Sequence, residues 1–292
     1  MAGSLSILDR VRRRNWRPTA EAQRFSGMRA FVVVTGASRG IGLELARVFA
    51  GHGHPLLMIA RDQAALEAAA AQIRKPGGPE ILALALDLTG PLAAQRIETA
   101  LAGRGGYTDI LVNNAGIGLG GPLASQTADE LQQLINLNIT VLTQLSRYFL
   151  TGMLARGAGG ILNIGSLGGY VPGPHQAAYY ASKAYVVSLT EALAREVAGQ
   201  GVRIAMINPG PVATSFHASM MTEESYYLSV LGQMPAEHVA RVAYRGYQQG
   251  RTLIVPGLVN YVMLLLLRVT PHPISVRIVG FLLRRRGAHG GT

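Results

Sequence analysis

Thr35-Gly36-Ala37-Ser38-Arg39-Gly40-Ile41-Gly42 decides the fold of this chain. An apolar run, Ala30–Thr35, leads into it, and an apolar-periodic stretch, Ile41–Gly51, follows. Strand, glycine-rich turn and helix in that order make a phosphate cradle. Glycine lets the backbone turn tightly and approach a pyrophosphate, and the helix N-terminus offers free N–H groups and the positive end of its dipole. The spacing is Gly-x-x-x-Gly-x-Gly rather than Gly-x-Gly-x-x-Gly.

The rest of the chain repeats that alternation. Pro55–Ala60 reads as a second strand, followed by the helix Asp62–Arg74. Ile81–Leu86 is a third strand before the helix Leu92–Ala102, and Ile110–Val112 begins a fourth. Asp129–Arg156 reads as one long helical stretch, Gly160–Ile164 as a fifth strand and Gln176–Ala198 as a helix. Val202–Ile207 and Leu253–Val255 supply strands six and seven. Continuous apolar strands separated by helices predict an α/β fold. The expected architecture is a Rossmann-like, doubly wound, seven-stranded parallel sheet with helices on both faces, in a single domain.

Composition limits the function. The 292 residues are 49% apolar and include no cysteine, which excludes a disulfide framework, a thiol nucleophile and a Cys-ligated metal. The seven histidines have no ligand spacing, so no metal site is expected. The formal charge of +11 sits at the ends. Residues 1–29 hold seven arginines against Asp9 and Glu21, residues 268–292 hold five and no acid, and the body between is close to neutral. No basic stripe interleaves with aromatics there, so no nucleic acid is expected as a partner. The arginines near the N-terminus are not followed by the apolar stretch of a secretory signal.

Met263–Leu267 and Ile274–Leu283, then Arg284-Arg285-Arg286, are apolar patches flanked by cations and too short to span a bilayer. Two readings stand for this segment: an element lying in an anionic membrane interface, or a helix packed on the domain or on a second copy. The expected boundaries are a basic N-terminal extension over 1–27, a catalytic domain over 28–256 and an apolar, basic extension over 257–292.

One pair stands out on the helix Gln176–Ala198. Tyr179 and Lys183 are four residues apart and share a face. A cation beside a phenol favours its ionised form and makes a tunable proton donor. Lys183 is one of only two lysines among 27 cationic side chains. A compact ammonium is not replaceable by the planar fork of arginine.

Thr35–Gly42, Asn113-Asn114-Ala115-Gly116, Asn138, Ser166, Tyr179-x-x-x-Lys183 and Pro209-Gly210 occur in the order and spacing of the short-chain dehydrogenase/reductase family, which the chain resembles over roughly residues 28–256. The resemblance implies hydride transfer between a nicotinamide and a carbonyl or secondary alcohol. Tyr179 would be general acid or base, with Lys183 lowering its pKa and holding the nicotinamide ribose. Ser166 would bind the substrate oxygen, and Asn138 would organise a water leading to Lys183. Gly36, Ser38, Arg39, Gly40, Ile41 and Gly42 would cradle the dinucleotide. Asp87 and Leu88 would meet the adenine, Asn114, Ala115 and Gly116 the adenosine, and Pro209, Gly210, Val212 and Thr214 the nicotinamide.

The second strand ends at Ala60, which cannot bind a ribose 2′-hydroxyl as an acid would. Arg39 and Arg61 could instead clamp a 2′-phosphate, which points to NADP(H). Asp62 reads as a helix N-cap. A substrate lid is expected over 212–235, where Met220, Met221, Tyr226, Tyr227, Leu228, Leu231 and Met234 suit a hydrophobic ketone, 3-oxoacyl chain or steroid-like alcohol. The alternative is a membrane-associated, NADP(H)-binding regulatory protein with little turnover. Family resemblance also implies a homodimer or homotetramer. The expected location is cytoplasmic, with peripheral membrane contact through the C-terminus.

Overall fold

The structure is a computed structural model and describes residues 25–214, 216, 220 and 232–283. The elements run β1 (Arg29–Thr35), α1 (Gly40–Gly51), β2 (Leu56–Ala60), α2 (Gln63–Ile73), β3 (Ile81–Ala85), α3 (Ala93–Ala102) and β4 (Gly106–Asn113). Then come α4 (Ala128–Ile135), a π-helical segment (Asn136–Val141), α5 (Leu142–Arg156), β5 (Gly160–Ile164), α6 (Ala177–Glu196) and β6 (Arg203–Ile207). The two-residue strands β7 (Val212–Ala213) and β8 (Met234–Pro235) pair with each other. The described chain ends with α7 (Ala236–Gln248), β9 (Leu253–Ile254), α8 (Leu258–Val269) and α9 (His272–Leu282).

The main sheet has seven parallel strands in the order β3-β2-β1-β4-β5-β6-β9. This is the predicted Rossmann-like, doubly wound sheet. Side chains alternate across it because successive Cβ atoms point to opposite faces. Val32, Val34, Leu56 and Met58 enter a core shared with α1, α2 and α7. Phe31, Val33, Leu57 and Ile59 enter a second core covered by α3, α5 and α6. Both faces being dry is why these strands read as unbroken apolar runs.

Local chemistry sets several boundaries. Asp62 caps α2 as expected, its Oδ1 accepting from the Ala65 amide at 3.0 Å. Thr127 and Glu130 form a reciprocal capping box that starts α4. Three expectations need correction. Strand β4 starts at Gly106 rather than Ile110, and its pairing to β1 skips Asp109, passing from Phe31 with Thr108 to Val32 with Ile110. A bulge leaves one residue unpaired, so a charged side chain sits inside a strand and hides its start. The single long helix over Asp129–Arg156 is interrupted by the π segment at Asn136–Val141. The helix α7, with Val239, Ala240, Ala243 and Tyr247 on its buried face, was not foreseen.

Candidate active site

All the elements converge on the carboxyl ends of β1, β4, β5 and β6. At the end of β1, Gly36 has φ +64 and Gly40 φ +59, both in the left-handed region that glycine tolerates. A Cβ on Gly42 would lie 2.3 Å from the Gly36 carbonyl oxygen and 2.4 Å from Asn114 Nδ2. The turn is held from β4. Asn114 Nδ2 donates to the carbonyls of Thr35 and Gly36 at 2.9 and 3.0 Å. Thr35 Oγ1 accepts from the amides of Asn114 and Ala115 at 3.0 Å each and donates to the Val112 carbonyl at 3.1 Å. Thr35 thus ties the phosphate turn to Asn113–Gly116.

The mouth of the turn is cationic. Arg39, the N-cap residue of α1, and Arg61, one residue past β2, are both exposed. Asp87 lies beyond β3, and Leu88 is buried beside it. The Asp87 carboxylate accepts from the Thr89 amide and hydroxyl at 2.9 and 2.7 Å, and these bonds hold its pKa below the usual carboxylate value. Thr214 Cγ2 would stand 3.3 Å from a Cβ on Gly40, so the segment after β6 meets the glycine turn.

Ser166, at the end of β5, accepts from the Gly168 amide at 3.0 Å and lies beside the Tyr179 phenol. Tyr179 and Lys183 sit one turn apart on α6, with Lys183 Nζ 5.8 Å from the phenol ring centroid. Tyr180, the neighbouring phenol, instead lies over Gly168 and Gly173. The expectation that Lys183 pulls the Tyr179 pKa down is corrected. Burial pushes the phenol up to about 12, with only the neighbouring Ser166 opposing it. The Lys183 ammonium donates to the Ile164 carbonyl at 2.8 Å, and burial pushes its pKa down to about 8. Desolvation sets both shifts in this dry pocket.

Asn138 occupies the π segment. Its Oδ1 accepts from the Ile117 amide at 2.9 Å, and its Nδ2 donates to the Ile117 carbonyl at 2.8 Å and to Ser182 Oγ at 3.1 Å. Ser182 Oγ in turn donates to the Tyr179 carbonyl at 2.6 Å. Asn138 therefore locks the loop after Gly116 to the helix that carries Tyr179.

Residues 30–225 match the short chain dehydrogenase family. This chain belongs to the short-chain dehydrogenase family. It is an oxidoreductase of that family. It is 32% identical over 237 residues to the 3-oxoacyl-[acyl-carrier-protein] reductase of Vibrio cholerae serotype O1, covering 77% of this chain and 95% of the relative. It is 39% identical over 209 residues to the galactitol 2-dehydrogenase (L-tagatose-forming) of Cereibacter sphaeroides, covering 70% and 80%. A short-chain dehydrogenase from Sphingobium yanoikuyae, solved in complex with NADPH, superposes with a TM-score of 0.73 at 29% identity, over 90% of this chain and 98% of that one.

In this dehydrogenase the segment after β7 reaches Tyr179. The Phe216 ring is 5.6 Å from that of Tyr179, and Met220 is buried against Gly118 and Gly120. Met234 instead packs against the core of α1 and α7. Met221, Tyr226, Tyr227, Leu228 and Leu231 lie outside the described residues. Pro209 accepts from the Leu167 amide at 3.1 Å, and Asn260 of α8 sits under Gly210. Sequence reasoning missed Thr35, Ser182 and a buried chain of amides and hydroxyls. In that chain Asn113 Nδ2 donates to Ser146 Oγ and Asn163 Oδ1, and Asn163 Nδ2 donates to Thr190 Oγ1. The signal was available: a polar residue inside an apolar strand needs a buried partner.

Proposed function

We propose that this chain is an NADP(H)-dependent oxidoreductase that interconverts a carbonyl and a secondary alcohol on a hydrophobic substrate. The observation that carries the reading is the buried Tyr179 phenol with Ser166 beside it and Lys183 one turn away, next to a glycine cradle. The residues fit a dinucleotide. A Cβ on Gly36 or Gly42 would press on Asn114, so only glycine lets the backbone wind tightly enough for the close approach a pyrophosphate needs. Arg39 and Arg61 are exposed for a 2′-phosphate, while Asp62 is occupied in capping α2. The Sphingobium neighbour holds NADPH.

Gly36, Ser38, Arg39, Gly40, Ile41 and Gly42 hold the pyrophosphate and ribose phosphate in this reading. Asp87, Leu88, Asn114, Ala115 and Gly116 line the adenosine, and Pro209, Gly210, Val212 and Thr214 the nicotinamide. When bound, the nicotinamide supplies or accepts the hydride. Ser166 donates a hydrogen bond to the carbonyl oxygen and fixes its position. Tyr179 gives its phenolic proton to that oxygen in reduction and takes it back in oxidation. Its raised pKa suits the acid role, because the phenol stays protonated through neutral pH. Lys183 presents a cation that stabilises the phenolate left behind until it is reprotonated. Phe216 and Met220 make the wall that meets the substrate an apolar one.

Tyr179→Phe tests this directly. Turnover of a ketone panel should fall about 10²- to 10⁴-fold, the usual worth of general acid catalysis, while the NADPH dissociation constant stays put. A variant that keeps most of its activity, or a wild type that prefers NADH, would overturn the assignment.

A further inference from the structure

Among the described residues no helix is long and apolar enough to cross a membrane. The two helices after β9 nevertheless leave a broad apolar surface in water. On α8, Leu258, Val262, Leu265, Leu266 and Val269 follow one helical face, and Leu258 and Val269 are 78% and 77% exposed. The opposite face buries Asn260 and Leu264. On α9, Ile274 and Ile278 are half exposed, while Ser275 and Leu283 are buried. Leu267, Val279 and Leu283 join one cluster, so the inner faces of both helices pack into the same part of the core and leave their outer faces exposed.

Charge identifies the occupant. From His238 to Thr292 the chain holds eight arginines and no aspartate or glutamate. Arg277 is exposed on α9, and Arg284-Arg285-Arg286 follow that helix in the sequence. A second copy docked by two-fold symmetry would set this cationic rim against itself. Residues 1–24 are themselves rich in arginine and do not complement it. An apolar face rimmed by Arg268, which also meets Glu191 at 3.8 Å, and by the exposed Arg277 matches an anionic lipid surface, with side chains in the acyl boundary and guanidinium groups at the headgroups.

We propose that the outer faces of α8 and α9 dock this protein in the plane of an anionic bilayer. The inner faces belong to the cluster that contains Tyr179, Phe216 and Met220. Docking therefore sets the wall of the catalytic pocket against the lipid phase.

Vesicle flotation of the full chain tests this without reference to turnover. Wild type should float with phosphatidylcholine vesicles containing phosphatidylglycerol and stay behind with phosphatidylcholine alone. Arg277→Gln should weaken binding about fivefold, the effect of one cation near a charged surface. Val262→Glu with Ile278→Glu, both at exposed positions, should abolish flotation while circular dichroism and activity on a water-soluble ketone are retained. Leu265→Gln, a milder change, should weaken it. Wild type that ignores phosphatidylglycerol, or a double variant that floats equally well, sinks the proposal. So does a loss of oligomer mass in the double variant with lipid binding unchanged, which would assign the face to a second copy. Binding only to an acidic protein would assign it to that partner.

Discussion

The glycine turn after β1 and the helix pair α8–α9 are specified in opposite ways. In the turn, each position answers a backbone demand. Gly42 has no room for a Cβ, and Thr35 and Asn114 saturate named carbonyls and amides. In the helix pair, what matters is a face. Leu258, Val262 and Leu266 could be exchanged among aliphatic residues without altering it. Chemistry here is written residue by residue, and surface affinity by pattern.

Three experiments bear on that contrast, starting with the largest effect. Gly42→Val should abolish NADPH binding and lower the melting temperature, because the side chain would press on the Gly36 carbonyl and Asn114. Overpacking of this kind costs about 1–3 kcal/mol. Fluorescence titration and a thermal melt check it, and normal NADPH binding would mean the turn is not the cradle.

The second effect is a stability trend with pH. Lys183 titrates at about 8 in the folded chain against 10.5 ordinarily, so its burial penalises the fold while it is charged. Stability should therefore rise as pH climbs from about 8 toward 10.5, by on the order of 3 kcal/mol. Tyr179, raised to about 12 from 10.0, acts in the other sense, and its contribution is lost above pH 10. Lys183→Met should remove the rise between pH 8 and 10 in denaturant melts. A variant that keeps the same rise would place its cause elsewhere.

The smallest effect belongs to the pattern side. Phe216→Leu keeps the wall apolar but removes a ring contact with Tyr179. Aromatic pairs contribute about 0.5–1.5 kcal/mol, so KM for a hydrophobic ketone should shift by no more than about tenfold. The NADPH dissociation constant should not move. A hundredfold change would mean the lid is specified as strictly as the turn.

The sheet was legible because both of its faces are dry, so strands such as Phe31–Val34 and Leu56–Ile59 are apolar throughout. The grouping of Ser166, Tyr179 and Lys183 was legible because they keep a fixed spacing on a strand end and a helix. The start of β4 was not, because Asp109 occupies a bulge. Its carboxyl, raised in pKa by burial, lies near Arg156, whose guanidinium stands 4.4 and 4.3 Å from the ring centroids of Phe25 and Tyr107. That arrangement needs residues far apart in sequence. Helix α7 could have been read from the spacing of Val239, Ala240, Ala243 and Tyr247. The sign of the Tyr179 shift could not, since it is set by how deeply the fold buries the phenol.

The π segment at Asn136–Val141 carries one residue more than α-helical winding needs. Each residue of an α-helix turns the surface by about 100°. Deleting a single residue here would restore regular winding and shorten the chain by one. It would also rotate Asn138 away from Ile117 and Ser182, leaving α4 and α5 intact as helices. The surplus residue thus works as an indexing pin. It sets the angular phase between two well-formed helices, and with it whether the loop after Gly116 and the tyrosine helix face each other at all.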